Sequence, residues 1–200
     1  MTSARKSSPA LVLLLTALSL AGCASPPLRL YTLEGPATAG SAVTGPIAAG
    51  APVVEVRRVS LPDYLDSQDI ITRDGTSLSR SPNGRWAERL SNGMTDLISS
   101  RIGAARPDLF VTEQPFTANT SARLAITISR LDLPRSGQAT MEASWAFIPS
   151  DEHEPEQLER GVFTASGPLT TDGDSVAITD NLVRQLSDRI IHSLPQGWHG

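Results

Sequence analysis

The 200-residue chain has a single cysteine, Cys23. A lone cysteine has no intramolecular disulfide partner and excludes the paired spacing of a Cys-rich zinc site. Histidine is almost as scarce: His153, His192 and His199 are the whole supply, which leaves little material for acid–base chemistry. Lys6 is the one lysine, so every other basic side chain is Arg or His, a bias that a GC-rich genome explains. Aromatics make up 4% of the chain, so the core must rest on Leu, Ile, Val and Ala. No apolar run reaches the roughly 20 residues of a membrane-spanning helix. The formal charge of −4 argues against nucleic acid, which needs a basic footprint.

The first feature present is at the N-terminus. Arg5 and Lys6 precede an apolar stretch at residues 10–20, and small residues follow it. That order reads as a secretory signal. It closes on Leu20-Ala21-Gly22-Cys23, which resembles the lipobox of bacterial lipoprotein precursors. On this reading residues 1–22 are a signal peptide and the Cys23 thiol carries a covalent lipid. Several acyl chains would hold permanently where one anchors only marginally. Ala24 and Ser25 follow, with no Asp next to the cysteine. Such an Asp resembles an inner-membrane retention signal, so its absence points to the outer membrane, with the domain in the periplasm. Loss of Arg5 and Lys6 would take the charge from −4 to −6.

The rest is long enough for one core without disulfides. Residues 28–33 form a short β-prone run. Residues 34–52 are rich in Gly, Ala, Pro, Ser and Thr and offer little to repay ordering entropy, so they read as a flexible internal loop. If residues 28–33 join a sheet, residues 23–27 are a short tether. Residues 53–59 are strand-like, and 61–66 (Leu-Pro-Asp-Tyr-Leu-Asp) are a loop. Residues 69–73 and 77–80 flank Asp74-Gly75, a hairpin signal. The 3.6-residue period of Trp86, Leu90, Met94, Leu97, Ile98 and Ile102 predicts a helix over 82–103. Strands are predicted at 109–112, 122–133, 139–148 and 158–168. In the second of these Leu124, Ile126 and Ile128 share one parity, whereas Leu131 and Leu133 have the other. That predicts a bulge near Ser129-Arg130. A last helix to residue 194 opens at Asp172-Gly173-Asp174-Ser175, with Asp174 or Ser175 accepting from free N–H groups. Leu182, Leu186, Ile190 and Leu194 mark its buried face. The fold class is α/β, of α+β type. A single domain over 28–198 carries two main helices on a mixed β-sheet.

No Gly-x-Ser-x-Gly elbow or Gly-rich phosphate loop occurs. Residues 151–156 could be imagined as metal ligands, but neighbours on a tight turn rarely converge, and a solvated acidic loop is the better reading. Asp172-Gly173-Asp174 lacks the remaining positions of a calcium loop. No catalytic residue, metal or cofactor is expected beyond the lipid on Cys23.

Several segments together resemble one family, the ABC-type transport auxiliary lipoproteins of the PqiC/YmbA group. They are the lipobox, residues 30–33 (Leu-Tyr-Thr-Leu), 54–56 (Val-Glu-Val), 61–66, 70–73 (Ile-Ile-Thr-Arg), 86–90 (Trp-Ala-Glu-Arg-Leu) and 185–190. Arg89 departs from a Pro common in relatives, and as a better helix former it should extend the helix. The resemblance implies a noncatalytic outer-membrane subunit of an MCE/ABC-type intermembrane lipid transport system. Its role would be docking or assembly in support of membrane integrity, with MCE-domain and ABC transporter components as partners. By analogy with MCE rings it also implies a homo-oligomer. It supports residues 28–33 as a sheet strand. Within it, Leu61, Pro62, Tyr64 and Leu65 are the candidate partner interface, since Tyr is a common interface anchor. The competing classes are another envelope adaptor, for lipopolysaccharide or secretion assembly, and a lipid-anchored hydrolase.

Overall fold

The computed structural model describes residues 26–33, 50–114, 120–196 and 198. Cys23, His199 and most of the loop predicted at 34–52 lie outside them. In chain order the elements are β1 (Arg29–Tyr31), β2 (Val53–Val56), β3 (Asp69–Asp74), β4 (Ser77–Trp86), α1 (Leu90–Ala105), β5 (Phe110–Thr112), β6 (Ala122–Asp132), β7 (Gln138–Pro149), β8 (Gln157–Ser166) and α2 (Asp172–Ser193).

The fold is the expected α+β single domain, but its strands divide between two sheets. One has the order β1-β4-β3 and the other β5-β2-β6-β7-β8. Both are mixed. β1 runs parallel to β4, and β2 runs parallel to β5 and β6, while the hairpin pairs are antiparallel. The strand expected at 28–33 is thus a sheet member. Gly75, at φ 58°, supplies the left-handed turn that closes the β3–β4 hairpin.

The core lies between the large sheet and the two helices. Leu124, Ile126 and Ile128 of β6 are buried, as are Met141, Ala143, Trp145 and Phe147 of β7. The inward parity of β6 changes at a register shift between Ile128 and Arg130. Leu131 and Leu133 therefore also reach the interior, as the parity break predicts. On α2 the buried row is Leu182, Leu186 and Ile190, continued by Leu194 at the cap. Trp145 Nε1 donates to Ser193 Oγ at 3.1 Å and ties α2 to the sheet.

One helix start and one helix cap differ from expectation. α1 begins at Leu90, not at residue 82, because residues 82–86 complete β4 and the last three of them pair with β1. Trp86 is buried as a strand residue. The helical period included it because one apolar side chain fits either pattern. Arg89 is the N-cap, with extended backbone, so helix propensity does not govern that position. α2 opens at Asp172 as expected, but its cap is Thr171 rather than Asp174 or Ser175. Thr171 Oγ1 accepts from the Asp174 N–H at 3.1 Å, and Asp174 Oδ2 accepts from the Thr171 N–H at 2.9 Å. This is a reciprocal capping box. Ser175 instead donates to the Thr171 carbonyl and is buried.

Candidate protein interface

The β2–β3 connection carries the candidate residues, and its backbone is pinned before it reaches them. Past Val56 the chain stays beside β6. Arg57 N–H donates to Leu124 O, Ser60 N–H to Ile126 O, and Ile128 N–H to Ser60 O, each at 2.9 Å. Val59 N–H donates to Thr95 Oγ1 at 3.0 Å, and that hydroxyl donates to Ser91 O at 2.7 Å. The connection is therefore fixed to both β6 and α1. The strand expected at 53–59 ends at Val56 for the same reason: its later bonds go to β6 singly and to a side chain.

The turn closes on Pro62, whose carbonyl accepts from Leu65 N–H at 2.8 Å and Asp66 N–H at 3.1 Å. Pro62 itself is half-buried. Leu65 is 4% exposed and belongs to the core, so it anchors the turn from inside. Leu61 packs against the core at its margin. Tyr64 is the exposed member, at 36%. Of the four, then, Tyr64 presents a large surface, Leu61 and Pro62 flank it, and Leu65 holds the loop in place.

Asp66 is the electrostatic centre of the loop. Its carboxylate accepts from Ser91 Oγ at 2.6 Å, Arg58 Nη2 at 3.1 Å and Arg89 Nη1 at 3.4 Å. Arg89 Nη1 also donates to the Asp66 carbonyl at 2.8 Å. The Ser91 hydrogen bond, aided by the Arg58 and Arg89 guanidiniums, holds Asp66 below the usual carboxylate range against the opposing effect of burial. Arg89 thus has a defined task outside the helix: it reaches back to lock the loop.

A second charged cluster lies beside Tyr64, at the β6 bulge. Asp132 accepts from Arg73 Nε and Arg130 Nε, each at 2.5 Å. Arg130 Nη1 also reaches Glu142 Oε1 at 3.2 Å. Burial raises the Asp132 carboxyl, but the hydrogen bonds from Arg73 and Arg130 outweigh it and the group sits below its ordinary value. The Arg73 guanidinium is held charged first by Asp132, with the Tyr64 hydroxyl adding to that effect. Arg73 is on β3 of the small sheet, whereas Asp132 and Arg130 are on β6 of the large one. The backbone joins them too: Arg73 N–H donates to Leu133 O at 2.9 Å. The cluster therefore joins the sheets. It borders a cleft of about 530 Å³ that also takes in Gly75, Thr76 and Ser129. Two guanidiniums face two carboxylates there, so no surplus charge is left to select an ionic ligand.

The two described histidines, His153 and His192, do not gather. His153 Nδ1 contacts Asp151 Oδ1 at 2.9 Å on the exposed β7–β8 turn. His192 Nδ1 lies 2.6 Å from the Asp188 carbonyl on α2. Among the described residues no group of His, Cys, Asp and Glu is placed to hold a metal, and no helix is long and apolar enough to cross a membrane. Sequence reasoning missed both charged clusters. Their partners are up to 59 residues apart. Only the parity break at Ser129-Arg130 marked one of the places.

A family model described as ABC-type transport auxiliary lipoprotein component matches residues 31–191. No curated protein matches the chain. Among solved structures, an uncharacterized protein is similar over 85% of this chain and 100% of its own, at 17% identity and a TM-score of 0.64. Protein XCC0632 from Xanthomonas campestris is similar over 70% of this chain and 81% of its own, at 16% identity and a TM-score of 0.55. At these identities the likeness is one of fold.

Proposed function

Because the chain belongs to the ABC-type transport auxiliary lipoprotein component family, we propose that it is a noncatalytic docking or assembly subunit of an MCE/ABC-type intermembrane lipid transport system. Cys23 carries the lipid that anchors it at the outer membrane, and the domain receives the MCE assembly from the periplasm. The family match carries this reading, since residues 31–191 take in all strands but the first two residues of β1, all of α1 and almost all of α2. The local geometry supports a binding role: Tyr64 is exposed on a connection whose backbone is already fixed to β6 and α1.

The partner surface is the rim around Tyr64, with Leu61 and Pro62 beside it. Such a rim suits docking because its backbone is already ordered, so less entropy is lost when a partner binds. A homo-oligomer around the MCE ring is part of the same reading. Crosslinking and affinity purification from native membranes tests it: MCE-domain and ABC transporter components should be recovered with the protein. Recovery of a lipopolysaccharide or secretion complex, or of no transporter component, would overturn the assignment. Tyr64→Ala should reduce partner recovery at least several-fold with folding unchanged. Full recovery with Tyr64→Ala would remove the rim from the interface while leaving the assignment standing.

A further inference from the structure

We infer that Leu28 and Leu30 are a second, direct contact with the lipid surface, seating the small sheet on the membrane that holds Cys23. The inference rests on lipidation of Cys23.

Leu28 is 60% exposed and Leu30 is 63% exposed. Single exposed leucines are ordinary, so position must carry the case. These two follow Cys23 by five and seven residues. A chain spans at most about 3.6 Å per residue, which keeps Leu28 within roughly 18 Å of the anchor. Leu30 lies in β1 and Leu28 just before it, and strand alternation carried back through Leu28 turns both to one side. β1 is an edge strand, paired with β4 alone.

The charges beside them suit a phospholipid surface. Leu30 stands opposite Arg85 in the β1–β4 register, and Arg85 stands opposite Asp69 across β4–β3. Arg85 and Arg80 both contact Asp69 at 3.2 Å. Two guanidiniums against one carboxylate leave this face net positive. Apolar side chains beside this arginine pair match the chemistry of an anionic bilayer interface. β1 and β4 run parallel, so the β3–β4 turn lies on the side from which the chain enters. Leu78, just past that turn, is also exposed. The other exposed apolar pair, Leu158 and Val162, is on β8 of the other sheet and provides an internal control.

The test uses the full lipoprotein in vesicles of phosphatidylethanolamine and phosphatidylglycerol containing nitroxide-labelled acyl chains. An acylated Cys23 is blocked, so Leu30→Cys or Leu158→Cys offers one thiol for an environment-sensitive fluorophore. The label at 30 should shift to the blue and be quenched at least twofold, while the label at 158 keeps its emission in water. In addition, Leu28→Ser with Leu30→Ser should speed tryptic cleavage after Arg29 at least tenfold on vesicles. A label at 30 that stays wet on protein that floats with the vesicles, or an unchanged cleavage rate, overturns the second contact and leaves the anchor intact. Mass spectrometry of the Cys23 peptide separates the two: an unmodified Cys23 defeats the anchor and the contact together.

Discussion

The two sheets use their apolar residues differently. The large sheet turns Leu124, Ile126, Ile128, Met141, Trp145 and Phe147 into one core against α1 and α2. The small sheet buries Ile70 and Trp86 but leaves Leu30 and Leu78, with Leu28 just before β1, in solvent. It is held by its margins: the Arg73–Asp132 junction, the backbone bond from Arg73 to Leu133, and a contact to α2 in which Ser81 Oγ donates to Asp172 Oδ2 at 2.9 Å. The contrast teaches that stability resides in the large sheet, whereas the small one is docked onto it and carries surface for use elsewhere.

The comparison can be broken first in the core. Leu186→Ala removes a fully buried side chain and should cost about 2–5 kcal/mol, read by chemical denaturation. If Leu30→Ala cost as much, the division between the sheets would be wrong.

Next is the junction. Asp132→Asn replaces a carboxylate that serves two guanidiniums and should cost about 1–3 kcal/mol. Asp132 and Asp66 both titrate below their ordinary range in the folded protein. Their stabilisation is therefore complete above the unfolded value near pH 3.9 and is lost as pH falls through the lower folded value. Thermal melts from pH 6 to pH 2 should show this loss below about pH 4, and Asp132→Asn should flatten it. A variant with an unaltered acid profile would exclude Asp132 as a source of the dependence.

A smaller effect is expected where the small sheet meets α2. A Cβ at Gly84 would lie 2.3 Å from Asp172 Oδ2, so in Gly84→Ala the carboxylate must swing away from Ser81. The loss should be about 1 kcal/mol. Chemical denaturation reads it, and an unchanged midpoint would show that the carboxylate keeps its bond to Ser81. The smallest change is Leu30→Ala, within about 0.5 kcal/mol of the parent protein in solution.

Much of both sheets was legible in the chain. Alternation located β7, the parity break between Ile128 and Leu131 located the bulge, and Asp74-Gly75 located the hairpin. These are local signals, set by side-chain period and backbone freedom. The start of α1 was not legible, because Trp86 fits a helical stripe as well as a strand and only pairing with β1 decides between them. The candidate site was legible only in part. The composition of residues 61–66 marked a loop with a tyrosine at its centre, but nothing in it told Leu65, which is buried, from Tyr64, which is not.

By itself, then, the sequence determined the elements, the α+β class and the lipobox-like end, since these depend on residues near one another in the chain. Tertiary structure alone decided that the strands form two sheets and that Asp66 and Asp132 gather arginines from distant segments. It also decided that Leu28 and Leu30 stay outside. Burial and ion pairing depend on which surfaces meet, and that is settled only when the whole chain has packed.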